Sequence, residues 1–398
     1  MKVLDELSKC FILRNKKHEI KNMKTETINI IGAGIGGLTT ALTLQQKGLK
    51  VNIFEGSSEI KPVGAGIIIA NNAMQVFKKL GIQEKIEKAG NKISYMKITD
   101  NKLKNISVVD LKEYEKKYGV HNIAIHRGEL QKILANEIGY ENITLSKRLS
   151  KIEKNELFKL TFEDKSSIDS KIVIGADGIK SIVRNQLFEK STIRKANQIC
   201  WRGICEYDLP KEYHNELNEA WGKGKRFGFV KISNTKIYWY ALRNIKKEKI
   251  EEENLFELFK EFHIDILNII SATKKDDIVV SEITDLKPIN KWQNENVCLV
   301  GDSAHATTPN LGQGACQAIE DAYVLGKLMQ NGISIENTFK EYESLRRKKA
   351  HKIVKTSWAL GKIAQIENNF GIWFRNLVLK NIPNSSNKKQ MDMIFKLD

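Results

Sequence analysis

From Thr27 onward the hydrophobic pattern resolves into recognisable elements. The run TINII (27–31) is apolar enough for a buried strand, IGGLTTALTLQQKG (35–48) predicts a helix ended by Gly48, and KVNIF (50–54) predicts a second buried strand. Strand, helix and strand in this order make a βαβ unit near the front of the chain. Further on, RGELQKILANEIG (127–139) predicts a helix, RLSKIEKNELFKLTFED (148–164) a strand meander and KIVIGA (171–176) another apolar strand. Between about Asn197 and Thr284 the pattern shifts to the strands ICWRGICEY, FGFVKI and KIYWYAL with short helices, rich in Trp and Tyr. The α/β signal returns with NVCLV (296–300) and the helix GACQAIEDAYVLGKLM (314–329). After Ser334 a long helical stretch leads to FGIWFRNLVLKNIPNS (370–385), whose Trp, Phe and Leu can pack on the body of the protein or touch a membrane; packing on the body is the main expectation, because it is the commoner fate of an apolar helix face.

This order predicts the α/β class: a Rossmann-like nucleotide-binding domain, discontinuous in sequence, with an inserted mixed β-sheet substrate domain and C-terminal helices. The expected division is a tail at 1–24, a cofactor domain at 25–90, 121–190 and 285–334, a substrate domain at 91–120 and 191–284, and a helical segment at 335–398. The tail is basic and weakly periodic, and Met23 is a plausible start of the native protein.

Composition narrows the function classes. With 398 residues and 41% hydrophobic content, the chain can bury a large core. The five cysteines, Cys10, Cys200, Cys205, Cys298 and Cys316, make no CxxC pair, and the seven histidines show no metal-ligand spacing, so no metal site is expected. No apolar run is long enough for a membrane span or a signal-peptide core, which predicts a cytoplasmic protein without an integral membrane segment. The formal charge of +17 comes from lysines spread along the chain and is not read as a nucleic-acid site.

Three motifs carry the chemistry. Gly32-x-Gly34-x-x-Gly37 follows a strand and opens a helix, so backbone NH groups can reach a pyrophosphate at the positive helix end, while Glu55 ends the next strand, placed to accept from ribose hydroxyls. In IGADGIKSIVR, Asp177-Gly178 follows a buried strand, with Ser181 and Arg184 after it. In LVGDSAHATTPNLGQGACQAIEDA a strand delivers Asp302 and a loop through Pro309 to Gly312-Gln313-Gly314, a source of NH groups without bulky side chains.

In this order the motifs resemble the para-hydroxybenzoate hydroxylase-like superfamily of single-component FAD monooxygenases, over roughly residues 27 to 350. The resemblance implies a GR2-type FAD-binding domain and an enzyme that reduces FAD with NADPH or NADH and inserts one oxygen atom from O2 through a flavin C4a-hydroperoxide. It implies FAD contacts from Gly32, Gly34, Gly36, Gly37, Glu55, Gly56, Arg127 of HRGEL, Asp177, Asp302, Gly312, Gln313, Gly314 and Ala315. The stretches EIKPVGAGI, GKRFG, KIYWY and GDSAHATTPNLGQG look like the urate hydroxylase members, which implies substrate positioning by Arg226 and Tyr238. Those members have an aspartate where this chain has Asn310, a residue shared with zeaxanthin epoxidase-like members. An asparagine orients a carbonyl or water and cannot take a proton. Hydroxylation of an aromatic or heteroaromatic compound is the main expectation; alkene epoxidation and a reductase or dehydrogenase without oxygen transfer are the alternatives. The substrate and the oligomeric state are not encoded legibly.

Overall fold

The computed structural model describes residues 26–60, 65–245, 254–330 and 333–398. The tail at 1–24, Met23 and the KPVG part of EIKPVGAGI lie outside the described residues.

Thr27–Ile31 lies inside a six-stranded sheet ordered 293–294, 297–299, 172–175, 27–31, 50–54, 143–144. All its pairings are parallel except the antiparallel pair at the 293–294 edge. Val297–Leu299 and Ile172–Gly175 are buried throughout, as strands covered on both faces must be. The helices Ile35–Gln45, Arg127–Ile138 and Gly314–Leu328 pack together beside this sheet. Gly326 lets two of them approach closely, since a Cβ there would stand 2.2 Å from Thr43 Cγ2. The predicted meander forms a three-stranded antiparallel sheet over 149–154, 158–162 and 167–170.

The stretch after Ala65, where the hydrophobic pattern is uninformative, supplies two sheets. Gly66–Ile69 and Asn91–Ile93 flank Asn122–His126 in a three-stranded sheet, while Tyr95–Asp100 and Asn105–Asp110 join a seven-stranded one. That large sheet runs in the order 279–286, 193–206, 236–244, 225–231, 216–221, 95–100, 105–110. Its pairings are antiparallel except between 216–221 and 95–100.

Alternation gives this sheet two different faces. Trp201, Phe227, Phe229 and Trp239 point to one side, where Phe259, Ile266 and Ile270 from two short helices, with Phe262 between them, complete a second hydrophobic core. Each such side chain contributes roughly 1.5–3 kcal/mol when fully buried. The opposite face turns toward the cofactor side and carries the polar groups described below. A 30-residue helix, Ile335–Ala364, runs behind the Gly314–Leu328 helix, and Asn369–Lys380 and Asn384–Phe395 follow it. The α/β class with an added mixed sheet and C-terminal helices, read from the sequence, is the observed architecture.

Candidate cofactor and substrate site

The first glycine motif forms a closed turn. Gly32 has φ +104°, and a Cβ on Gly37 would lie 2.0 Å from the Gly32 carbonyl oxygen, so neither position tolerates a side chain. Gly36 serves helix packing instead: a Cβ there would sit 3.1 Å from the Ala318 Cβ. At Gly34 a Cβ would meet nothing within 4 Å, so its side is open space in front of an uncapped helix N-terminus. Glu55 is brought to the same turn, where its Oε2 accepts from the Ala33 NH at 2.7 Å and its Oε1 from the Ser57 NH at 2.8 Å. Gly56 plays a different part from its neighbour. A Cβ on it would stand 2.8 Å from Arg148 Cζ, so the glycine admits that guanidinium against the turn.

The second motif packs against the first through Ala176, whose Cβ would lie 3.2 Å from a Cβ on Gly37. Asp177 Oδ2 accepts from the Ile182 and Val183 NH groups at 2.7 and 3.1 Å. Its Oδ1 is buried and finds no partner among the described residues, and burial raises the carboxyl above its usual range. Arg184 is buried and ties the second motif to the third, donating to the Ser303 carbonyl at 2.8 Å and the Ile179 carbonyl at 2.5 Å.

The third motif opens with Asp302, which is reached by solvent yet surrounded by protein. That combination marks a side chain projecting into a deep crevice. The protein around it raises its carboxyl, while His305 and Arg127 oppose the shift. Arg127 starts its helix with an exposed side chain, and its charge is also felt at Tyr238. Gly312 has φ +61° with open space where a Cβ would be. Gln313 turns its side chain inward to Asn72 and Gln317, both at 3.2 Å, so its backbone is what it presents to the crevice. Gly314 and Ala315 form the first turn of a 15-residue helix with no side-chain cap.

These features fit FAD. Two helix N-termini lack protein caps, an orphaned carboxylate oxygen sits in the second motif, and glycines leave space where side chains would intrude. Backbone NH groups at Gly34 and Gln313–Ala315 suit phosphate and flavin oxygens, whereas the Gly312 NH closes its own turn on the Pro309 carbonyl at 2.9 Å; Glu55 suits ribose hydroxyls.

Register places a polar cluster on the inner face of the seven-stranded sheet. Trp221 pairs with Arg226, Arg226 with Leu242, Glu219 with Gly228, and Gly228 with Tyr240, so Glu219, Trp221, Arg226, Tyr238 and Tyr240 share one face. Glu219 is the hub. Its Oε1 accepts from Arg226 Nη1 at 3.0 Å and Trp221 Nε1 at 2.8 Å, and its Oε2 accepts from the Tyr240 hydroxyl. Arg226 Nη2 donates to Asn310 Oδ1, and Nε is buried without a partner among the described residues. Asn310 Nδ2 donates to Thr308 Oγ1 at 2.9 Å and the Ser357 carbonyl at 2.8 Å. Tyr238 packs on Gly66, where a Cβ would lie 2.3 Å from its ring, and lies within hydrogen-bonding reach of Arg202. Burial raises its phenol well above the usual value, so it stays protonated at neutral pH.

Glu219, Trp221, Tyr240 and Arg202 were not singled out by motif reading. Period-2 counting from Arg226 and Tyr238 flags Tyr240 and, on its own strand, pairs Glu219 with Trp221. Strand register, which motif spacing does not encode, brings these segments together. Among the described residues no group of His, Cys, Asp and Glu could hold a metal ion.

The model of the FAD binding domain family matches residues 24–357. This chain belongs to that family. The family and its curated relatives make it an FAD-dependent monooxygenase of the para-hydroxybenzoate hydroxylase-like superfamily. The chain is 33% identical to the aurachin C monooxygenase/isomerase of Stigmatella aurantiaca, covering 90% of this chain and 95% of that one. It is 30% identical to 2-heptyl-3-hydroxy-4(1H)-quinolone synthase of Pseudomonas aeruginosa, covering 93% and 97%. Among solved structures, HpxO of Klebsiella pneumoniae complexed with FAD and uric acid aligns with a TM-score of 0.85 and 26% identity, covering 93% of this chain and 96% of that one. No helix among the described residues is long and apolar enough to cross a membrane.

Proposed function

We propose that this flavoenzyme hydroxylates a ring carbon of a neutral fused heteroaromatic of the 4-quinolone kind. The observation that carries this reading is the arginine of the polar cluster. Arg226 is buried, its charge is offset by Glu219 at 3.0 Å, and Asn310, a neutral amide, takes its other nitrogen. A cluster so neutralised disfavours an anionic substrate, because a buried net charge without a partner is costly. It suits a neutral ring with a carbonyl and an NH. The name of the Pseudomonas relative describes such a ring, hydroxylated and bearing a heptyl chain, and that relative matches at higher identity than the urate hydroxylases, at 28%.

Bound at this site, FAD would supply the redox chemistry that links NADPH or NADH to O2. The protein's share is placement. The NH groups at Gly34 and Gln313–Ala315, with Asp302 and Arg127, would hold the cofactor, while Tyr238 and Arg226 fix the substrate ring beside it. Asp177 holds its own helix and leaves one oxygen for the cofactor side. Residues 25–90, 121–190 and 285–334 form the cofactor part in this reading, and 91–120 and 191–284 the substrate part. O2 is the oxidant, nucleic acid has no role, and the enzyme works in the cytoplasm.

The test is NADH and NADPH oxidation by the FAD-loaded protein in air and under nitrogen, with 2-alkyl-4-quinolones, phenols, polyenes and urate. An alkylquinolone that accelerates oxidation and gains one oxygen atom at a ring carbon meets the expectation. Oxygenation of urate in preference to the quinolones would overturn the substrate class, and turnover without oxygenated product would favour the reductase alternative.

A further inference from the structure

The helix Asn369–Lys380 is inside out. Phe370 is 74% exposed, Trp373 59% and Phe374 54%, with Leu377 and Val378 also open, whereas Arg375 is 4% exposed. The aromatic side chains form one surface: the Phe370 ring lies 5.8 Å from Trp373 and 6.4 Å from Phe374. The expectation that this segment packs its aromatic residues on the body is therefore corrected. The inner position goes to Arg375 because its guanidinium has specific partners there, the Trp221 ring at 5.1 Å and the Ala364 carbonyl at 3.1 Å. With the arginine fixed inward, the helical period turns Phe370, Trp373, Phe374 and Leu377 to solvent.

We infer that this face docks on the surface of a membrane containing anionic lipid. Three observations favour a bilayer over other occupants. An exposed cluster of Phe, Trp, Leu and Val on one 12-residue helix is the composition of an interfacial helix, in which Trp and Phe sit at the boundary between headgroups and acyl chains. The chemistry around it is cationic: from Asn368 to Met391 the chain contains Arg375, Lys380, Lys388 and Lys389 and no Asp or Glu. Lys388 is paired with Glu113, and Glu367, just before the helix, bonds Asn244, which leaves Lys380 exposed at the end of the apolar helix and Lys389 exposed on the helix that follows. The chain as a whole carries +17, so a negative leaflet attracts it and a second copy of itself is repelled.

The inner side of the same helix adjoins the polar cluster. Arg375 lies on Trp221, Trp221 donates to Glu219, and Glu219 holds Arg226. A membrane-bound enzyme would thus have its substrate-positioning arginine two side chains from the docking helix. The docking inference stands without the quinolone reading.

The test is co-sedimentation of the full FAD-loaded chain with phosphatidylcholine vesicles and with phosphatidylcholine–phosphatidylglycerol vesicles. We expect binding to the anionic vesicles, weakened at least about tenfold by joint replacement Phe370→Ser, Trp373→Ser and Phe374→Ser, and weakened at high salt or by Lys380→Glu with Lys389→Glu. The single change Trp373→Phe keeps the face apolar; it should bind like the parent but lose fluorescence quenching by bromine-labelled acyl chains. Equal pelleting of parent and triple variant, or no loss of quenching in Trp373→Phe, overturns the inference. Self-association of the parent that the triple variant abolishes, without vesicle binding, reassigns the face to a second copy.

Discussion

Replacing Arg346 by methionine isolates the ion network behind the cofactor crevice. Arg346 is wholly buried and donates to Asp321 Oδ1 at 2.8 Å, Glu320 Oε1 at 2.7 Å, Gln317 Oε1 at 2.8 Å and Asp398 Oδ2 at 2.6 Å. Methionine fills much of the volume but leaves Glu320 with Lys349 and Asp321 with His305, each at 2.6 Å. Removing one member of a buried ion cluster typically costs about 3–5 kcal/mol. A second route gives the electrostatic part of this at one carboxyl. Burial alone would raise the Asp321 carboxyl, but His305 and Arg346 overcome it and hold the group at about 2 rather than 3.8. At about 1.4 kcal/mol per pH unit that depression is worth about 2 kcal/mol, part of it from Arg346. A depressed carboxyl stabilises the fold fully above about pH 4 and loses that contribution as pH falls through about 2. The difference between parent and Arg346→Met should therefore be large at neutral pH and shrink in strong acid. Urea unfolding of the FAD-free chains at several pH values measures it. A variant within about 1 kcal/mol of the parent at pH 7 would refute the assignment of this network as a main support of the crevice.

Further perturbations separate cofactor, substrate and scaffold. Gly34→Ala should leave the melting temperature of the FAD-free chain unchanged, since its Cβ meets no protein atom, while weakening FAD retention; Gly37→Ala, 2.0 Å from a carbonyl oxygen, should destabilise the FAD-free chain itself. Asp302→Ala should purify with little flavin, whereas Arg226→Ala should keep its flavin absorbance and lose substrate-stimulated NAD(P)H oxidation. Asn310→Asp should not create urate oxidation. It turns a carboxylate toward the Ser357 carbonyl and removes both amide donors, so thermal melting should show a loss of roughly 1–3 kcal/mol.

The local elements were legible because each declares itself within a few residues. TINII, KVNIF and NVCLV carry apolar runs, and the Gly314–Leu328 helix follows a loop with the glycines that its close approach requires. The strand Gly66–Ile69 and the pair Tyr95–Asp100 and Asn105–Asp110 were not legible, since they are short and partly exposed and their partners lie far along the chain. The polar cluster was hidden for a related reason. Arg226 and Asn310 are 84 residues apart, and Glu219 meets Tyr240 only because three strands align in one register. The helix Asn369–Lys380 misled the pattern reading in a specific way. Its period is that of a docked apolar helix, but the pocket formed by Trp221 and the Ala364 carbonyl selects Arg375 for the inner side.

The loop that carries Asp302 and the second pair of glycines is fixed by bonds that leave its cofactor-facing groups free. Asp321 takes the Gly301 NH at 2.9 Å, Arg184 takes the Ser303 carbonyl at 2.8 Å, and Asn310 joins the Ser357 carbonyl to Arg226. None of these bonds consumes the Asp302 carboxylate or the NH groups from Gln313 to Ala315. The loop is thus held in a binding geometry before the cofactor arrives, and little ordering entropy remains to oppose binding. It follows that the anchors should act on FAD affinity at a distance: Arg184→Met removes no atom from the Gly34 or Gly312–Ala315 cradle, yet it should raise the FAD dissociation constant measured by fluorescence quenching. An unchanged constant in a folded Arg184→Met chain would show that the loop keeps its geometry without this anchor, and that the other two bonds suffice.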